Sequence, residues 1–80
     1  MPSRDNLELL RSERNVTFRV LQRICGEESQ FRRQKGSHSI FTTGFPDNPT
    51  VSIQPDKNND AKPYQVRQVR NLIERRRGVT

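Results

Sequence analysis

The one histidine of the chain, His38, lies in the stretch QKGSHSIF, positions 34–41. Three cations precede it, Arg32, Arg33 and Lys35, followed by Gly36 and Ser37. An imidazole titrates near neutral pH, so it can take up a proton and give one back. A Gly-Ser turn can aim backbone N–H groups outward as a seat for an anion. Arg32, Arg33 and Lys35 can hold a phosphate beside it. This combination suits a phosphodiester gripped next to a proton-transfer group. RNA makes the arrangement useful, because its 2′-OH is an internal nucleophile. Cleavage then needs only the removal of that proton and the steadying of charge on phosphorus, with no metal. The plainer reading of His38 is a solvent-side strand histidine with no chemical role.

Rival chemistries find little support. No elbow-type serine motif accompanies His38. Neither a P-loop nor a dinucleotide fingerprint is present. One cysteine and one histidine exclude a structural zinc site, and a lone Cys25 excludes an internal disulfide. Cys25 closes an apolar-periodic stretch and reads as a buried filler thiol. The acidic residues show no spacing that suggests a metal site; Asp56 and Asp60 read as loop residues.

Eighty residues make one small domain with a thin core, since 29% of the chain is apolar and 30% charged. The net charge of +6 predicts attraction to a polyanion, whether nucleic acid, an anionic membrane or an acidic protein. The N-terminal MPSRDNLELL has no apolar run of signal-peptide length, and no stretch reaches the length of a membrane span. The expected location is cytoplasmic.

The elements that must position His38 follow from periodicity. Residues 1–14 read as a polar arm with a short helical turn, capped by Asp5 with Glu8, and Leu7, Leu9 and Leu10 offer a small apolar contact. In NVTFRVLQRICGE, Phe18, Leu21 and Cys25 share one helix face. Thr17 is the expected cap, and Gly26 the expected left-handed stop. QFRRQK and HSIFTT read as strands joined by Gly36-Ser37. GFPDNP reads as a loop, TVSIQ as an alternating strand and PDKNND as a second loop. The final helix opens at Pro63 and places Val66, Val69 and Ile73 on one face. Its last turn carries Arg75, Arg76 and Arg77, where positive charge suits the helix dipole. Tyr64 is expected to pack over the adjacent strand, whereas Phe45 is a candidate for stacking on bases. Lys62, Arg67 and Arg70 could bind phosphates or form a solvated face. The order predicts a two-layer α+β sandwich with an antiparallel three-stranded sheet. Ile40 shares the parity of His38 and Phe41 does not, so the buried side of that strand stays open.

Two blocks carry a family resemblance. RRQKGSHSIF resembles the Gly-Ser-His turn and following strand of HicA-type (YcfA-like) toxins. VSIQP with AKPYQVRQVRNLIE resembles the third strand and last helix of one branch of that family, and NVTFRVLQRICGE fits its first helix. The match spans roughly residues 15–77, which sets an arm at 1–14 apart from a toxin domain at 15–80. The resemblance implies a fold like the double-stranded RNA-binding domain, α-β-β-β-α, with two helices on one face of the sheet. It implies a type II toxin that cleaves mRNA without a metal or other cofactor, and a HicB-like antitoxin as partner. It makes His38 the active histidine and Gly36 the residue that keeps the turn open. Many members carry a second histidine directly after the first, where this chain has Ser39. In the loop DKNND the chain is polar where relatives tend to have glycine. The alternatives are a non-catalytic RNA-binding module of the same fold and a protein-interaction domain whose basic surface meets an acidic partner.

Overall fold

The computed structural model describes residues 5–78. Six elements follow one another: α1 (Asn6–Leu9), α2 (Phe18–Glu28), β1 (Gln30–Lys35), β2 (His38–Phe45), β3 (Asn48–Ile53) and α3 (Pro63–Arg76). The strands form one antiparallel sheet in the order β1-β2-β3. The α-β-β-β-α layout is therefore as expected, with α1 added in front.

The period of each element places its apolar residues. Leu21, Ile24 and Cys25 of α2 and Val66, Val69, Leu72 and Ile73 of α3 are buried. They meet Phe41 of β2 and Val51 and Ile53 of β3 in one core cluster. On β2 the buried positions are Ser39, Phe41 and Thr43. Register pairs Ser39 with Ile53 and Phe41 with Val51, so all of them look toward the helices. His38, Ile40 and Thr42 must then lie on the opposite, uncovered face. That settles the parity that β2 alone leaves open.

Helix ends show which local signals act. The Thr17 hydroxyl accepts from the Val20 N–H at 3.2 Å, as a cap should. Gly26 does not stop α2. The helix runs on to Glu28, because Ser29 ends it by donating both its N–H and its hydroxyl to the Cys25 carbonyl, at 2.9 and 2.6 Å. Asp5 caps α1 by position only and makes no side-chain capping bond. Gly78 follows α3 at φ +74, the left-handed end expected of it.

Two further expectations need correction. GFPDNP is largely strand: β2 extends through Phe45 and β3 starts at Asn48, leaving Pro46 and Asp47 as the turn. The register shifts between Thr42 and Phe45, with Gly44 at φ +87. The Thr43 side chain bridges that irregularity, donating to the Asn48 carbonyl and accepting from the Phe45 N–H at 3.1 Å. Pro49 is tolerated because β3 is an edge strand. The arm also goes deeper than a small contact: Leu10 is 0% exposed and belongs to the core, with Leu7 and Leu9 packed partly against it.

The loop before α3 is ordered by its own polar groups. Asp56 Oδ1 accepts from the N–H groups of Asn58 and Asp60 at 2.8 and 2.9 Å. The Ala61 N–H donates to the Val16 carbonyl at 2.9 Å, and Phe18 N–H to the Asn59 carbonyl at 3.1 Å. These bonds moor the start of α3 to the start of α2.

Candidate functional site

β1 and β2 are joined by a two-residue turn, Gly36-Ser37. Gly36 sits at its first central position with φ +61, the conformation a II′ hairpin turn asks of glycine. The Gln34 side-chain amide donates to the Gly36 carbonyl at 3.3 Å. The turn delivers His38 as the first residue of β2, exposed and directly across the ladder from Lys35. Cross-strand neighbours of this kind have Cβ atoms ~5 Å apart.

A bulge then decides where the two arginines go. Phe31 pairs with Phe41 and Arg33 with Ile40, so the register shifts at Arg32. Phe31 keeps to the helix-facing side, its ring 5.5 Å from that of Phe41 in an edge-on contact. Arg33 shares the uncovered face with Lys35 and His38, while Arg32 is the bulged residue itself. Sequence reasoning grouped the three cations equally; the ladder brings two of them onto the face of the histidine.

Ion pairing separates this cluster from most of the arginines of α3. Arg67 and Arg70 both bind Glu13, at 2.9 and 3.0 Å, and so fasten the arm to α3. Arg70 also reaches the carbonyls of Leu10 and Arg11, each at 3.4 Å. The arginines Arg75, Arg76 and Arg77 at the end of α3 tie it to the β2–β3 turn, to the end of α2 and to the start of α1. Arg75 pairs with Asp47 at 2.8 Å and lies over the Phe45 ring, 4.0 Å from its centre. Arg76 donates to the Glu28 carbonyl, and Arg77 binds Asp5 at 2.6 Å and Glu28 at 3.3 Å. Hydrogen bonds from these arginines hold the carboxyls of Asp5, Glu13 and Asp47 below their ordinary range. By contrast, Arg32, Arg33 and Lys35 have no ion-pair partner among the described residues. Arg11, Arg14, Arg19, Lys57 and Lys62 are also without one, but among the unpaired cations it is Arg33 and Lys35 that the ladder sets on the face of His38.

Ser39 faces away from that cluster. It is 1% exposed and accepts a hydrogen bond from the Gln22 side chain at 3.3 Å, inside the core layer. Cys25 is equally remote; burial pushes its thiol up to about 12, so it is no nucleophile at neutral pH. Among the described residues no group of three His, Cys, Asp or Glu side chains could hold a metal ion. No helix of the described residues is long and apolar enough to cross a membrane.

On its other side His38 borders a groove of about 660 Å³ along the free edge of β3. Thr50, Val51 and Ser52 form one wall and Tyr64, Gln68, Asn71 and Arg75 of α3 the other. Tyr64 is 52% exposed and lines this groove; it does not pack down over a strand as expected. Phe45, a candidate for base stacking, is instead covered by the Arg75 guanidinium. The groove was missed in the sequence because its α3 wall is a polar stripe, which reads as a solvated helix face.

These features define a class: a small basic α-β-β-β-α domain whose histidine stands on the uncovered face of the sheet beside unpaired cations. The family follows from comparison. Residues 20–74 match the family model described as the HicA toxin of bacterial toxin-antitoxin systems, so this chain belongs to the HicA toxin family. It is accordingly a toxin with an antitoxin as its partner. The matched span takes in most of α2, all three strands and most of α3. No curated protein and no solved structure gives a match.

Proposed function

We propose that the protein is a metal-independent endoribonuclease that cleaves mRNA, with His38 as its proton-transfer residue. One observation carries the reading. The β1–β2 register sets Lys35 opposite His38 and Arg33 on the same uncovered face, and among the described residues no carboxylate pairs with these cations. A phosphate held by Lys35, Arg33 and Arg32 lies within reach of the imidazole, and the N–H groups of the Gly36-Ser37 turn can add to its seat. His38 removes the proton of the 2′-OH, and that oxygen attacks phosphorus. The bond to the 5′-oxygen breaks, giving a 2′,3′-cyclic phosphate and a free 5′-OH. The proton returned to the leaving oxygen comes from His38 as a shuttle or from Lys35. The cations stabilise the charge that develops on the phosphoryl oxygens. A HicB-like antitoxin is the fitting partner, and it would neutralise the toxin by covering this face. Ser39 has no part in the chemistry, since its hydroxyl lies in the core layer.

The test is cleavage of a mixed RNA at low salt with a chelator present. The expected products end in 2′,3′-cyclic phosphate. His38→Ala should lower the rate by ~10²–10⁴, the usual contribution of general acid–base catalysis. It should also relieve growth arrest in cells and leave the melting curve unchanged. If His38→Ala cleaves and arrests growth like the parent, the assignment is wrong. Salt-dependent RNA retention without products would instead identify a non-catalytic RNA-binding module.

A further inference from the structure

The groove beside His38 has a wall that the cleavage chemistry does not use. Tyr64, Gln68, Asn71 and Arg75 recur at i, i+4, i+7 and i+11, so they form one stripe along α3. At 1.5 Å per residue the stripe runs ~16 Å, room for several nucleotides of an extended strand. Both ends are fixed. At one end Gln65 Oε1 accepts from the Gln54 N–H at 3.0 Å, one ladder step beyond the Ser39–Ile53 pair, and there His38 and Tyr64 stand. At the other end Asp47 holds Arg75.

The lining is unlike the histidine face. Its one cation, Arg75, is matched by Asp47 and covered on one side by Phe45. What remains is mostly side-chain amide and hydroxyl with the Tyr64 ring, beside His38 at one end and the largely buried Val51 and Leu72. Such a surface does not grip phosphate; it suits a flat, neutral, hydrogen-bonding ligand, which is a nucleobase. Asn and Gln amides match base edges, adenine above all. The Tyr64 ring is more than half exposed, and among the described residues the one side-chain hydrogen bond to its hydroxyl is a 3.4 Å bond from its neighbour Gln65. A peptide strand added to β3 would need a continuous row of N–H donors, which Pro49 interrupts.

We propose that this groove seats single-stranded RNA, with one base stacked on Tyr64 and the next edges read by Gln68 and Asn71. The α3 stripe, rather than the histidine face, then selects the sequence to be cut. The position of the scissile phosphate at His38 rests on the ribonuclease reading above; the seating of bases is tested without it.

The chain has one tyrosine and no tryptophan, so its intrinsic emission reports on Tyr64 alone. The probe is a short mixed-sequence RNA methylated at every 2′-oxygen, which the proposed mechanism cannot cleave. On saturation the tyrosine emission should fall by roughly half or more. Tyr64→Ala should weaken binding about 10-fold, while Tyr64→Phe should hold it, as expected of stacking on a ring. Inorganic polyphosphate carries the charge without the bases and should leave the emission unchanged. RNA that binds, by its own fluorescence anisotropy, with the emission unchanged overturns the inference. So does equal quenching by polyphosphate, or quenching by the antitoxin but not by RNA. Quenching by the methylated RNA together with unmodified RNA left uncut sinks the ribonuclease reading and keeps this one.

Discussion

Leu10→Ala tests whether the N-terminal segment is part of the fold. Leu10 is 0% exposed and sits in the same cluster as Leu21, Val66 and Ile73. Truncating a fully buried leucine costs about 2–5 kcal/mol, the spread depending on how far the cavity collapses. A domain of 80 residues has a total stability of about 4–12 kcal/mol. The substitution should therefore remove a large fraction of it and lower the melting temperature by at least ~10 °C. The assay is urea and thermal unfolding followed by far-ultraviolet circular dichroism. Glu8→Ala, an exposed position on the adjacent α1, is the control and should shift stability by no more than about 0.5 kcal/mol. Deleting residues 1–14 should cost at least as much as Leu10→Ala, because it also removes the anchors Asp5 and Glu13. A loss below about 1 kcal/mol for Leu10→Ala, with a neutral deletion, would refute the docking of the arm.

Two further outcomes follow from the site and its clamps. Ser39→Ala removes the Gln22 bond and should cost about 0.5–1.5 kcal/mol of stability. Its RNA cleavage rate, measured by gel, should match the parent; a marked loss would place residue 39 in the chemistry after all. Asp5, Glu13 and Asp47 have carboxyls held low chiefly by hydrogen bonds from Arg77, Arg67 and Arg75. Such groups add stability above the ordinary carboxylate range near pH 4 and lose it as pH falls through their lowered values. The urea midpoint should stay flat from pH 7 to about 5 and drop below about 4, less steeply for Asp47→Asn and Glu13→Gln. A midpoint insensitive to acid, or one falling as pH rises from 5 to 7, would contradict the clamps.

The helices were legible because their signals are local. Phe18, Leu21 and Cys25, and likewise Val66, Val69 and Ile73, repeat at helical spacing whatever they pack against. The side of β2 was not legible, since Ile40 and Phe41 are adjacent and both apolar. It is fixed by Val51 and Ile53, which reach β2 only through pairing. GFPDNP carries the residue types of a loop, yet Phe45 and Asn48 pair across a two-residue turn. Neighbours in sequence mislead equally at Leu10, a buried leucine in a polar stretch that joins the core cluster of α2, α3 and the sheet. The histidine cluster was legible as a composition. That Arg33 and Lys35 share its face, and that Arg32 is the bulge, depends on a register shift that spacing does not announce.

The contact between Asp5 and Arg77 spans 72 positions, nearly the whole chain, and Arg75, Arg76 and Arg77 together fasten three separate elements. A contact of such long separation closes the described residues into a ring. Neither the arm nor the last turn of α3 can open without releasing the other, so the amide hydrogens of the two should exchange with solvent as one cooperative unit.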